Sequence, residues 1–555
     1  MSPLCYHSDM DEYRELGRSV VLLIIDGTRL CTGVMVNNTS NDGTPYLLTA
    51  SHCLNNDFQI TNPDYARIAE SIVCFFNYNS PLCHTILRGT EEMTMASASC
   101  VAVNENIDMA LLELPESPPA YYFPYYAGWN RENAGVKPYA GMHHPRASVK
   151  RVNVLENDIS LETLNLQIDG VNFYTQGHWR VRRWTSGSTY GGSSGSPLFD
   201  SNGHVLGLLT AGQSTCSYPV NDYYYALSKA WSTSSVTTQQ LAAWLDPQRT
   251  GKTTMSGLDP YADQACYRLS NIHSLYKNKK ADEQENIEAT TLSSSASGYL
   301  FGVNSLGTTA YLEEYRNVGS VRLYGTYIVT PALNSNADLS DLNVEVIVYE
   351  GTDKPEKLVY SKQFSPAFAH WESGSSDFGK SLKPLDRDQE SFIWFDEPVD
   401  ITGNLYVGYR IIDSAGDSFM AFNLAPRETN HNTAWIHYMN EWIQTTVHPV
   451  RSFHTSLFVD PVVSYNSLST NLEFPENNEN KVFVRVGKDR QSIHILLPEE
   501  TKKAEVTLYA VNGQQSDKAY FAGTEGVISL NVKRVGIYIV QIKFNNKFYH
   551  QKLIF

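Results

Sequence analysis

The chain lacks an excess of positive charge. Its 43 lysines and arginines face 59 aspartates and glutamates, a net charge of −16, whereas nucleic-acid binding needs a basic face. Nucleic acid is therefore excluded as a partner. No run of ~18 apolar residues occurs, the length a membrane-crossing helix requires. The opening stretch "MSPLCYHSDMDEYRELGRS" lacks the apolar segment of a signal peptide, so the start reads as a trimmed one or a truncated reading frame. Cysteine is missing from the second half, and none of the eight present forms a CxxC pair, so no zinc motif is read. An even count at wide spacing reads instead as disulfides and an oxidising compartment.

What is present favours strands. Tyrosine is abundant, at 34 of 555 residues, alongside many Thr, Ser, Asn and Val, a β-favouring mixture. At ~150 residues per domain the length suggests three or four domains. Residues 1–260 alternate short apolar runs ("SVVLLIID", "PYLLTASHC", "DMALLEL", "HVLGLLTAG") with Gly, Asn and Pro turns, the pattern of paired β-barrels. One helix is expected in "TTQQLAAWLDP", stopped at Pro247. A charged, then serine-rich stretch over 276–298 reads as a linker. Alternating runs over 285–462 predict a jelly-roll-like β-sandwich accessory domain. A last set over 478–555, with "NG" and "NN" hairpin signals, predicts a small immunoglobulin-like β-sandwich. The fold class is all-β.

The stretch "YGGSSGSPLFD" places Ser194 among small neighbours. A nucleophilic serine needs such neighbours so that a carbonyl can approach, and it needs backbone N–H groups aimed at the developing oxyanion. Gly192 and Ser194 could supply them. A serine also needs a base, and His52 in "LLTASHC" is the candidate. Asp108, opening "DMALLEL", is the candidate that orients the base. Singly, each has a plain reading: a Gly/Ser turn, a structural histidine, a capping aspartate. Jointly they stand in one of the known orders of a serine triad, His–Asp–Ser. His143 and His144 in "GMHHPR" read as structural, because neighbours on a strand face opposite ways. No metal site and no cofactor are expected.

The segments "CTGVMVNNT", "YLLTASHC", "FFNYNSPLC", "DMALLEL", "AGWNREN", "HHPRASVKRV", "GSSGSPLFD", "VLGLLTAG", "WLDPQRTG" and "GLD" resemble, in the same order, the trypsin-like (chymotrypsin-fold) serine proteases, and among them bacterial lysyl endopeptidases. The resemblance runs from about Cys5 to Asp259. It implies a chymotrypsin-like double β-barrel, with His52 as general base, Asp108 as its orienter and Ser194 as nucleophile. It implies disulfides Cys31–Cys53 and Cys5–Cys83, to which Cys74–Cys100 and Cys216–Cys266 are added to complete four. It implies a specificity carboxylate at Asp222, nine residues before Trp231, and hence protein or peptide substrates cut after Lys, with Arg as a second candidate. Two departures stand out. Thr210 in "LLTAG" occupies the place of a family histidine in the substrate pocket, which puts strict lysine preference in doubt, and Tyr174 is the candidate for the aromatic that assists that pocket. Ser193 replaces the aspartate that in trypsin receives the new N-terminal amine, so that switch cannot operate here.

The closing segment, with its "LY…NG" hairpin, "GIYIV" and "QKLI", resembles the C-terminal sorting domain of the type IX secretion system of Bacteroidetes. This implies export through the periplasm and outer membrane, the secretion machinery as partner, and a secreted or cell-surface product. The expected protein is a monomer. The contrasting reading is a surface adhesin carrying an inactive protease-like domain, and the intact triad speaks against it.

Overall fold

The computed structural model describes residues 11–554 apart from 56–57, 83–86, 163–166, 169–170, 263–264, 277–286, 294, 332–342, 365–387, 413–418, 427–429, 466–482, 487–491, 511–514, 530–536 and 546. Strands dominate, and no helix among the described residues exceeds the seven of Asp11–Gly17.

Two sheets build the N-terminal half. The first holds β1 (Val20–Ile25), β2 (Arg29–Val36), β3 (Tyr46–Ala50), β4 (Val73–Phe75), β5 (Thr94–Ala96), β6 (Ser99–Asn104) and β7 (Met109–Glu113), in the order β5-β4-β1-β2-β3-β7-β6. The second begins with β8 (Gly128–Asn130), β9 (Tyr139–His143), β10 (Arg151–Leu155) and β11 (Ser160–Leu161). After a small hairpin of β12 (Gln167–Ile168) and β13 (Val171–Asn172), it continues with β14 (His178–Arg183), β15 (Pro197–Phe199), β16 (His204–Gly212), β17 (Val220–Ala226) and β18 (Thr254–Met255). Its order is β10-β9-β15-β16-β17-β14-β11, with β8 beside β16 and β18. Both sheets curl, giving the all-β double barrel.

The runs that read as strands are buried throughout: "VVLLII" in β1 and "YLLTA" in β3 expose no position. One shared core joins the barrels, with Val34, Leu48 and Leu111 from the first packing with Trp129, Phe199, Leu208 and Tyr225 from the second. The Tyr225 hydroxyl also donates to the Thr49 carbonyl at 3.2 Å. The helix expected in "TTQQLAAWLDP" forms only as two short pieces, Thr237–Gln239 and Ala242–Leu245. There Leu241 and Leu245 reach the core, and Asp246 ends the turn one residue before Pro247.

A four-stranded sheet starting at Cys266–Arg268 and a six-stranded sheet face each other beyond the barrels. Val321, Leu323 and Ile393 of one pack against Val346, Val348 and Val407 of the other. The first barrel rests on this sandwich through Tyr121, which stacks on Tyr324 and Phe392 at ring distances of 5.9 and 6.0 Å. A five-stranded sheet with its own core (Ile495, Val506, Leu508, Val540, Ile542) closes the chain. Part of the expected linker, 277–286 and 294, lies outside the described residues.

Of the four expected disulfides, Cys31–Cys53 is formed. Cys5 and Cys83 lie outside the described residues. The other two pairings are corrected, because Cys74, Cys100, Cys216 and Cys266 are all free. Cys74 sits on β4 opposite Leu23, and Cys100 on β6 opposite Leu112, with four strands between β4 and β6 in the sheet order. Cys216 is exposed between β16 and β17, whereas Cys266 is buried opposite Ser464 in the sandwich. Burial pushes the Cys100 and Cys266 thiols up to about 12 and Cys74 higher still, so these three stay protonated and inert.

Candidate active site

The His52–Asp108 pairing follows from strand register. β3 and β7 are antiparallel, with Ala50 opposite Met109. Asp108 precedes Met109, and His52 lies two residues beyond Ala50 on the short helix Ser51–Leu54. Both therefore leave the sheet at the same end of one ladder. The Asp108 carbonyl accepts from Ser51 N at 3.0 Å. Its Oδ1 accepts from Ser51 Oγ at 3.1 Å and from His52 N at 2.9 Å, and its Oδ2 lies 2.9 Å from His52 Nδ1. Asp108 is wholly buried and His52 is 8% exposed. A carboxylate only accepts, so Nδ1 carries the proton and the ring's lone pair lies on Nε2, as a base requires.

The Ser194 loop is brought to this pair by three tethers. The Ser194 carbonyl accepts from Thr32 N at 2.8 Å. Thr32 follows Cys31, and Cys31 is bonded to Cys53, the residue after His52. Gly195, at φ +78°, lies flat against the turn before His52: a Cβ there would meet Ala50 N at 2.9 Å as well as Thr49 Oγ1 and the Thr32 carbonyl. The disulfide closes a loop with a sequence separation of 22, which is worth about 3 kcal/mol. The Cys31→Ser/Cys53→Ser double variant should lose that much in urea unfolding; a loss below ~1 kcal/mol would mean packing alone holds the loop.

Peptide planarity aims the loop amides. The Gly191 carbonyl accepts from Arg146 N at 2.7 Å and the Ser193 carbonyl from Ser196 N at 3.0 Å. In a trans peptide the N–H points opposite its carbonyl, so the Gly192 and Ser194 amides are turned the other way. Neither donates to an acceptor among the described residues.

Asp222 lies on β17 opposite Gly212 of β16 and Val181 of β14. Its Oδ2 accepts from Trp184 Nε1 at 2.6 Å and from Thr189 Oγ1 at 2.9 Å. Its Oδ1 is buried without a hydrogen-bond partner. Gly212 must be glycine, since a Cβ would fall on that oxygen. Burial raises the Asp222 pKa, opposed by Trp184, Thr189 and the nearby Ser214. Thr189 stands five residues before Ser194, which ties this carboxylate to the serine loop.

Thr210 is buried, and its Oγ1 lies 3.2 Å from Nε2 of His178. A histidine thus does stand beside Thr210, reaching in from β14. Burial lowers its pKa to about 4, with Asp108 pulling the other way. Phe173, rather than Tyr174, packs edge-on against His178 at 5.1 Å. Tyr174 faces the shared core. Sequence reasoning passed over His178, Trp184 and Thr189, whose partners lie 32, 38 and 33 residues away.

Residues 4–225 match the family described as "Lysyl endopeptidase, C-terminal domain". A curated lysyl endopeptidase of Pseudomonas aeruginosa is 29% identical over 225 residues, covering 37% of this chain and 43% of that protein. The N-terminal half is thus similar to serine protease domains. The match spans less than half the length of that relative. Among solved structures, the Rv3671c protease of M. tuberculosis overlaps 39% of this chain and 84% of its own, at 15% identity and a TM-score of 0.27. A Glu endopeptidase overlaps 38% and 85%, at 14% identity and a TM-score of 0.24.

Proposed function

We propose that the protein is a secreted serine endopeptidase that cuts protein chains after Lys, and also Arg, through an acyl-enzyme. The observation that carries this reading is the convergence of the His52–Asp108 pair and the Ser194 loop on the Cys31–Cys53 bridge. Ser194 Oγ attacks the scissile carbonyl as His52 Nε2 takes its proton. The same proton passes to the leaving amine, and water repeats the sequence in reverse roles to release the acid. Asp108 holds the imidazole in the required tautomer. The Gly192 and Ser194 amides receive the oxyanion.

The buried, half-satisfied Asp222 supports the basic preference. An ammonium or guanidinium entering its pocket would supply the missing partner of Oδ1 and offset the cost of burying both charges. Thr210, held to His178, forms a neutral wall of that pocket. No cofactor takes part. The C-terminal sheet, by its resemblance to type IX sorting domains, carries the chain through the outer membrane, and the enzyme acts outside the cell as a monomer.

The test joins two measurements on the full chain. A fluorophosphonate probe should label wild type and leave Ser194→Ala unlabelled, and a positional peptide library should be cut after Lys and Arg. Folded, oxidised protein that neither labels nor cuts would overturn the enzyme reading in favour of the adhesin.

A further inference from the structure

Behind the Ser194 loop lies a set of buried polar groups that the chemistry above does not use. Ser193 is fully buried, and His143 and Asn153 are each 1% exposed. They come from three separate pieces of chain: the serine loop, β9 and β10. Arg151 of β10 pairs with His143 of β9, which brings Asn153 diagonally across from it.

The hydrogen bonds can be assigned one by one. Ser193 Oγ accepts from Tyr190 N at 3.0 Å and lies 2.6 Å from His143 Nδ1. On the far side of the ring, His143 Nε2 lies 3.1 Å from Asn153 Oδ1. An amide oxygen can only accept, so Nε2 carries the ring proton and Nδ1 is the acceptor. The Ser193 hydroxyl therefore donates to Nδ1, which uses its single proton, while its lone pair is used by Tyr190. The bonds from Asn153 Oδ1 to Ser193 Oγ are thus all assigned, while Asn153 Nδ2 is buried without a hydrogen-bond partner.

We propose that His143 is a positioning residue for the oxyanion-binding peptide, holding Ser193 through an uncharged Asn153–His143–Ser193 relay. This rests on the endopeptidase reading above. The physical case has two parts. First, Gly192 adopts φ +91°, and the Ser194 amide faces the site only while the peptides on either side of Ser193 keep their orientation. The Gly192 carbonyl is held by Thr32 Oγ1 at 3.0 Å and the Ser193 carbonyl by Ser196 N. Ser193 N donates to the Tyr190 carbonyl at 2.9 Å, and the side chain of Ser193 is a further anchor, linked through His143 and Asn153 to two strands of the second barrel. Second, anchoring a buried loop with an ion pair costs the desolvation of both charges, whereas a neutral relay does not incur it. Burial lowers the His143 pKa to about 4, so the imidazole is neutral in neutral solution.

The experiment uses the full chain and two variants, Ser193→Ala and His143→Ala. Each is measured for kcat and KM on a lysyl peptide, for inhibition by a peptidyl lysine aldehyde, and for inhibition by n-butylamine. The aldehyde forms a tetrahedral adduct that needs the oxyanion amides; the amine needs only the pocket. Both variants should lose about 10²-fold in kcat, the typical cost of a lost oxyanion donor. Aldehyde affinity should fall in parallel, with KM and amine inhibition within twofold of wild type. Activity within threefold of wild type, or equal losses for aldehyde and amine, would overturn the proposal. A second measurement is independent of turnover. The ¹⁵N spectrum of histidine-labelled wild type at pH 7 should show His143 as the neutral Nε2–H tautomer, and an Nδ1–H tautomer or an imidazolium would overturn the relay even in an inactive protein. Wild type that fails to cut or label, with the expected tautomer present, would remove the endopeptidase reading and leave the relay standing.

Discussion

Asp108→Asn is expected to lower kcat by about 10⁴-fold with little change in KM or stability. The reason lies in which oxygen does what. Oδ1 accepts from both Ser51 Oγ and His52 N, while Oδ2 alone faces His52 Nδ1. An asparagine can satisfy the two donors only by placing its oxygen at Oδ1. Its NH₂ then takes the place of Oδ2 and donates to His52 Nδ1. The ring is forced into the Nε2–H form, and Nε2 has no lone pair left to accept a proton. Geometry survives and the base does not. Ser194→Ala, which removes the nucleophile itself, should cost about 10⁶-fold. Steady-state kinetics on a lysyl peptide, with melting curves to show that both variants are folded, check this. Asp108→Asn activity within tenfold of wild type would mean that another group orients His52.

The difference between what could be read early and what could not is a matter of range in sequence. The barrel strands were legible because "VVLLII" and "YLLTA" carry their burial in their own composition. The triad candidates were legible because each sits in a short local pattern. Cys31–Cys53 came only with the family resemblance, and the extra pairs added to complete four bridges failed, because a count of cysteines carries no information on which strands are neighbours. Cys74 and Cys100 behave as small apolar residues in the first barrel's core. The histidine beside Thr210 comes from β14, not from the strand after Ser194. β14 and β16 both flank β17, and a bulge in the β16–β17 pairing between Leu209 and Ala211 spans Thr210. No spacing rule in the sequence encodes a bulge. His143 was read as structural, and its partner Ser193 was noted only for the carboxylate it lacks.

Asp222→Asn should abolish the preference for basic residues while leaving the protein at least as stable. The two effects have one origin. A wholly buried carboxylate whose Oδ1 has no partner is held in a costly state until a cation arrives. In the free protein its pKa is raised. A carboxyl with a raised folded pKa contributes stability below its unfolded value, and that contribution is lost as pH rises through the folded value. At neutral pH, then, the charge is a burden on the fold, and asparagine, with the same shape and no charge, removes it. Trp184 and Thr189 can still donate to the amide oxygen, so the pocket keeps its walls. A lysyl side chain entering this pocket would meet NH₂ where it needs an oxygen. Losing one partner of a buried ion pair costs about 4 kcal/mol, or about 10³-fold in kcat/KM for Lys and Arg substrates. The ionised carboxylate is what binds, so wild-type KM for a lysyl peptide should rise as pH falls, beginning above the ordinary aspartate range, and Asp222→Asn should not show that limb. Kinetics across pH on wild type and variant, beside a thermal melt at pH 7, measure all of it. A variant that still prefers Lys would displace Asp222 from the pocket's floor. A variant that loses the preference only because it melts at a much lower temperature would make Asp222 a structural anion, satisfied by Trp184 and Thr189 alone.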